Sequence, residues 1–326
     1  MPFRELLASD YVVDTKEKIR LDDGREGYVM DDNVYFTITA DNKEMIHMEQ
    51  ASLAYYMAER NYTHMAVPIP NVHGNWYTDY RGKKHLVLRT KLKSRKDIST
   101  SAGRELAEFH ETGTGYPYEP HFASSYGQWH YLWTEKLTMF EQKVEHESNQ
   151  KHSSFYRSLM DYMPYIIGIS ENAIQYIQET EGDKRFHHYD QGVIAFRRYR
   201  DQLTGSLIWM EDLLYDHPAR DLAEYIRILM LNEKSGEEMS LFLKDYQLVR
   251  PLSIFGWRSL YARLLFPVHI FDWLEKCFRM EREKLPDKEL VNMMERQKRY
   301  EQGLRNFFKY AGINHEADQI PVLHWL

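Results

Sequence analysis

The sequence predicts an α+β protein in two lobes, a small β-rich one followed by a larger helical one. Three observations carry that expectation. Residues 1–90 contain short runs rich in β-branched and aromatic residues, separated by turn signals. Beyond them, apolar residues recur at helical spacing in long blocks. The chain has 326 residues, 43% hydrophobic and 28% charged, which exceeds the ~150 typical of one domain and suffices for a sizeable core.

The elements follow in order. Asp23-Gly24 between the runs 18–21 and 27–30 predicts a hairpin. Asp31-Asp32-Asn33 then leads into a third strand over 34–39. Ile46, Leu53 and Met57 fall on one stripe of a helix over 43–60, and Glu49 and Gln50 share that stripe. Val67-Pro68-Ile69-Pro70 is extended, because proline drives its predecessor out of the helical region. Runs 72–77 and 84–88 flank Tyr80-Arg81-Gly82 as a further hairpin. This makes 1–90 an antiparallel sheet with one helix, and 91–326 a helical lobe. Helices are expected over 101–112, 128–147, 153–180, 221–231, 237–246 and 257–279, the last kinked at Pro267. A strand-rich stretch interrupts them between residues 185 and 210. The charged segment 281–299 reads as the solvated face of a helix.

Bulk properties exclude several classes. A net charge of −7 argues against a dominant nucleic-acid footprint, which needs a basic face. The single cysteine, Cys277, cannot form a disulfide within the chain and reads as a small buried hydrophobe in a protein made in a reducing compartment. The opening MPFRELLASDYVV holds no apolar run of signal-peptide length, and no stretch reaches the ~18 apolar residues of a membrane span. Synthesis in the cytoplasm is therefore expected.

Several short sequences carry a resemblance. Leu106-Ala107-Glu108-Phe109-His110 is similar to the L-A-x-F-H helix of aminoglycoside and choline kinase-like proteins. His188-Tyr189-Asp190 resembles the H-x-D of their catalytic loop, and Asp216-His217-Pro218-Ala219-Arg220-Asp221-Leu222-Ala223 resembles the D-P-x-x-D-L-A that follows their metal motif. The Tyr126-Gly127-Gln128-Trp129 region and the segment 250–273 look like the spore-coat kinase-like branch, of the CotS and YutH type, and the YutH-like coat-associated proteins in particular. The resemblance covers nearly the whole chain. It implies a protein-kinase-like, aminoglycoside phosphotransferase-like fold, and a place in the spore coat.

Set against that family pattern, the phosphotransfer site is dismantled. Phosphoryl transfer depends on positioning and on neutralising charge. Asp190 matches the base and His188 the residue that supports its loop. The metal-binding asparagine of H-x-D-x-x-x-x-N falls on Ala195, which has no ligand atom. The metal-binding aspartate falls on Trp209, and an indole cannot hold Mg²⁺. No Lys or Arg occurs from Glu26 to Asn42, where the phosphate-binding lysine belongs, so Glu49, matching its usual ion-pair partner, is left without one from the strand. Gly24 and Gly27 make no phosphate cradle.

The resemblance therefore implies a catalytically silent pseudokinase that acts by binding other spore-coat proteins, with no metal and no cofactor. Asp190 is then a vestige or a structural acceptor, and Asp221 a structural anchor at a helix start. Two rivals stand beside it. One is a divergent small-molecule phosphotransferase using ATP and Mg²⁺, with Asp190 as base and a metal site rebuilt from Glu211, Asp212 or Asp216. The other is a small-molecule binding module using the interlobe cleft. His187 and His188 lack a third ligand at metal-site spacing. Trp129, Tyr131 and Trp133 read as core packing between helices, with a docking surface as the alternative.

Overall fold

The computed structural model describes residues 2–15, 17–91, 101–150, 153–183, 185–234, 236–280 and 287–323. The chain divides into two units. One comprises Met1–Ser124 with Val193–Tyr215, the other Ser125–Gly192 with Asp216–Leu326.

In the first unit the Asp23-Gly24 turn joins β1 (Glu17–Arg20) to β2 (Glu26–Met30) in antiparallel register, with Gly24 at φ +85°, a conformation that glycine adopts without strain. β2 pairs with β3 (Asn33–Thr39). A seven-stranded sheet follows the order β1-β2-β3-β6-β4-β8, built with β4 (Met65–Ile69), β6 (Lys83–Thr90) and the short β8 (Ile208–Trp209), while β5 (Tyr77–Tyr80) pairs with β6. β4 and β8 are parallel, with Ala66 opposite Trp209. α2 (Glu44–Ala58) buries Leu53, Ala54 and Met57.

Two features depart from the sequence expectation. Residues 72–76 form a turn rather than a strand, and the strand of this hairpin starts at Tyr77, because the Asn71 carboxamide oxygen accepts the backbone N–H groups of His73 and Asn75, each at 3.0 Å. A helix α1 (Pro2–Asp10), not anticipated, packs Leu6 and Leu7 into a cluster with Tyr28, Tyr35 and Val87.

The first unit also takes in α3 (Ala102–Thr114) and, as far as Tyr215, the two-stranded sheet of β7 (Val193–Phe196) and β9 (Leu213–Asp216), whereas the sequence expectation closed the first lobe at residue 90. Residues 92–100, which follow that boundary, lie outside the described residues. Packing explains the association of α3 with β7. Phe109 stacks on Phe196 with centroids 4.9 Å apart, and a β-carbon on Gly113 would lie 2.8 Å from the Ile194 backbone nitrogen, so only glycine lets the helix approach so closely.

The second unit is helical: α4 (Trp129–Gln150), α5 (Ser154–Gly182), α6 (Ala219–Leu231), α7 (Gly236–Gln247), α8 (Ile254–Leu265), α9 (Val268–Phe278), α10 (Asp287–Arg305) and α11 (Phe307–Ala311). α5 packs on α4 and α8, and α6 on α8 and α10. The helix expected over 257–279 is two helices. Pro267 lacks an N–H and the chain breaks at Phe266-Pro267, after which α9 starts anew. The charged stretch 281–299 enters α10 from residue 287, and 281–286 lie outside the described residues.

Candidate functional site

The positions assigned by the resemblance fall in both units. In the first, β3 places Val34, Tyr35, Phe36 and Ile38 in the core and carries no cation. Glu49 of α2 is engaged elsewhere. Its carboxylate accepts the backbone N–H groups of His121 at 2.9 Å, Phe122 at 2.6 Å and Ala123 at 2.7 Å. Gln50, next on the helix, donates to the carbonyls of Glu211 at 2.9 Å and Leu213 at 3.0 Å. α2 thus ties down two irregular segments by their backbones.

Trp209 is 8% exposed. Its indole meets Phe36 edge-on with centroids 4.9 Å apart, and the Arg25 guanidinium lies over it at 4.0 Å. Arg25 also donates to Glu211 at 3.1 Å. The cation over Trp209 therefore comes from the β1–β2 turn, one residue before the lysine-free window. His47, buried, lies 4.0 Å from the other Glu211 oxygen, and burial lowers its pKa although Glu211 works the other way. Burial raises the Asp212 carboxyl, with Arg25 opposing. Ala195 is fully buried in an apolar cluster with Val193 and Leu214. Neither position 195 nor position 209 offers an oxygen to Mg²⁺.

In the second unit, Asp190 ends a 3-10 turn over His188–Asp190 and is 1% exposed. Its carboxylate receives the His187 backbone N–H at 2.6 Å, the Ser253 hydroxyl at 2.7 Å from both oxygens, and His217 Nε2 at 3.4 Å. The His217 tautomer follows from its other nitrogen. Nδ1 accepts the Ala219 backbone N–H at 3.1 Å, so the neutral ring carries its proton on Nε2, facing Asp190. Burial works to raise the Asp190 pKa, but the hydrogen bonds from His217, Ser253 and His187 outweigh it and hold the carboxyl below its ordinary value. Three donors on a buried carboxylate leave little of it for a substrate hydroxyl.

His188, expected to support this loop, is exposed and makes ring contacts with His187 and Tyr189. Ser253 and His217 hold the carboxylate instead, and Arg250 holds the loop through the Tyr189 carbonyl at 2.9 Å. Asp216 is fully buried and accepts from Trp129 Nε1 at 2.9 Å, Arg220 at 2.6 Å and the His217 backbone at 2.7 Å. Glu211 and Asp216 are thus both bound to protein cations. Among the described residues no three His, Cys, Asp or Glu side chains gather as a metal-ligand group. Asp221 is buried in the first turn of α6.

Trp129 and Trp133 are buried and stacked at 5.7 Å, and Trp133 stacks on Phe266 at 4.7 Å, whereas Tyr131 is exposed. Cys277 is buried, which pushes its thiol up to about 11. Arg25, Ser253 and His217 were not singled out from the sequence. His217 lay inside the quoted Asp-Leu-Ala segment, and Ser253 carried the signal of a serine directly before a helical run.

The family described as "Spore coat putative kinase YutH" matches residues 4–307. The chain is 34% identical over 308 residues to the Endospore coat-associated protein YutH of Bacillus subtilis (strain 168), covering 90% of this chain and 89% of that protein. Among solved structures, an aminoglycoside phosphotransferase from Alicyclobacillus acidocaldarius superposes with TM-score 0.60 at 12% identity, covering 94% of this chain and 93% of that one. A microcompartment-associated aminopropanol kinase gives TM-score 0.58 at 11% identity, covering 98% of each chain. At such identities these structures establish the fold, which is aminoglycoside phosphotransferase-like with a β-rich lobe and a helical lobe. With the match spanning nearly its whole length, the chain belongs to the YutH family of spore-coat kinase-like proteins.

Proposed function

We propose that this protein is a spore-coat-associated pseudokinase that performs no phosphoryl transfer and works by binding other coat proteins. The spore-coat context is supported by its likeness to the Endospore coat-associated protein YutH. The loss of nucleotide handling is supported chiefly by one observation. Trp209, at the position matched to the metal-binding aspartate, is a packed core side chain between Phe36 and Arg25. The protein offers no cation on β3 and no amide at position 195, so charge neutralisation, the main service a kinase site performs, has no provider at the matched positions. Asp190 supports the same reading as a structural acceptor.

The test is thermal denaturation with ATP and Mg²⁺. A ligand at a hundredfold excess over its Kd adds about 2.7 kcal/mol of stability. The expected result is an unchanged melting temperature and no ATP turnover with hydroxylated substrates. Turnover that Asp190→Asn abolishes would install the divergent phosphotransferase in its place.

A further inference from the structure

Away from these positions, the second unit carries a cavity of about 390 Å³ between α4 and α9. α4 lines it with Lys136, Met139, Phe140 and Lys143, spaced i, i+3, i+4, i+7 along one stripe. α9 contributes Glu275 and Phe278, and Arg279 follows directly. Phe140 is buried and packs on Phe278 at 5.7 Å, forming an apolar floor. Met139, 68% exposed, extends this apolar surface to solvent.

The lining has three cations and one acid, on a protein whose net charge is −7. Lys136 is bound to Glu275, and Lys143 to Glu147 at 2.7 Å. Arg279 makes no ion pair among the described residues. An apolar floor under a basic rim, on a largely acidic protein, fits an acidic partner with apolar anchors.

From this we infer that the α4–α9 groove docks an acidic amphipathic helix of a partner protein. One large apolar side chain enters over Phe140 and Phe278, and flanking Glu or Asp side chains meet Arg279 and share Lys143 with Glu147, whose i, i+4 pair is half-exposed and contributes little by itself. The volume is within the range of specific binding sites and holds one anchor and its neighbours. The inference rests on the reading that this chain works by binding proteins, and it gives that partner a chemistry.

The experiment uses the full chain and three fluorescein-labelled peptides of about five helical turns, ~18 residues each. The first has a Leu/Phe stripe with Glu on the remaining faces, the second the same stripe with Lys, and the third Glu with Ala replacing the stripe. Fluorescence anisotropy is expected to show saturable binding of the first alone, weakening as salt is raised. The double variant Met139→Glu, Arg279→Glu changes exposed side chains, so its melting temperature should stay that of the wild type, while affinity falls at least about tenfold. Leu241→Glu, at an exposed apolar position on α7, should bind as the wild type does.

Equal binding of the acidic and basic peptides overturns the inference, as does undiminished binding by the double variant. Concentration-dependent dimerisation that the acidic peptide displaces assigns the groove to a second copy and likewise overturns it. None of these readouts contains nucleotide. ATP binding beside intact peptide binding refutes only the pseudokinase reading, and failed peptide binding with no ATP binding refutes only the groove.

Discussion

The hydroxyl of Ser253 lies 2.7 Å from both oxygens of Asp190, and the same oxygen accepts the Gly256 backbone N–H at 2.9 Å. One side chain therefore caps the start of α8 and donates a hydrogen bond to a buried carboxylate. Ser253→Ala removes an N-cap and leaves that carboxylate one donor short, each change costing about 1–2 kcal/mol. Urea unfolding should show a loss of about 2 kcal/mol or more; a loss within error would refute the coupling.

The lowered pKa of Asp190 gives a pH signature. A group whose folded pKa lies below its unfolded value of about 3.9 adds stability above that pH, and the contribution disappears as pH falls through the folded value. Asp190→Asn should therefore lower stability at neutral pH and flatten its decline below about pH 4. Melting temperatures from pH 2 to 7 check both limbs.

Trp209→Asp restores the acid of the family motif at the expense of the Phe36 contact and the Arg25 perch. Large-to-small changes at buried aromatic sites cost about 3–5 kcal/mol. The variant should melt well below the wild type. Combined with Ala195→Asn it should still show no shift with ATP and Mg²⁺, because β3 supplies no cation. A shift in the double variant would show that metal ligands alone were missing.

Glu49→Gln keeps one acceptor oxygen where three backbone N–H groups now converge. Two of these bonds are exposed and one is part-buried, so water reaches the freed donors and the loss is about 1 kcal/mol. Faster hydrogen exchange at the amides of residues 121–123, with the β3 amides unchanged, is the expected outcome.

The partly buried His269 ring lies 2.8 Å from the Gln297 carboxamide, and desolvation, with Arg227 adding to it, lowers its pKa to about 3, against the pull of Gln297, Glu224 and Asp272. The unfolded ring titrates near 6.5, so between about pH 6.5 and 3 the unfolded chain binds a proton that the folded one refuses. Stability is lost on acidification through this window with a slope of up to about 1.4 kcal/mol per pH unit. His269→Gln should flatten that slope, and an unaltered slope would remove His269 as its source.

Local signals made much of the fold legible. The Asp-Gly turn, the β-branched run of β3 and the stripes of α2 and α4 each sit within one element. The errors came where a side chain overrides the local pattern. Asn71 bends an apparent strand, and Pro267 divides a continuous apolar stripe. At the candidate site the residue types at Ala195, Trp209 and β3 were legible. The partners of Asp190 and Glu211 were not, because Ser253 and His217 reach Asp190 across 63 and 27 residues, and Arg25 reaches Glu211 across 186. Such pairings are set by tertiary packing, which no window of sequence displays.

Arg25 on Trp209 has a consequence for ancestry and engineering. On the pseudokinase reading one substitution does not recover a metal site, because the indole is part of what keeps the lobe folded. An acid introduced at position 209 by itself therefore lowers the stability of the protein. The physical chemistry thus acts as a ratchet. Placing a metal ligand at position 209 would have to begin by replacing the Arg25–Trp209–Phe36 stack with other apolar packing, and only then introduce the acid.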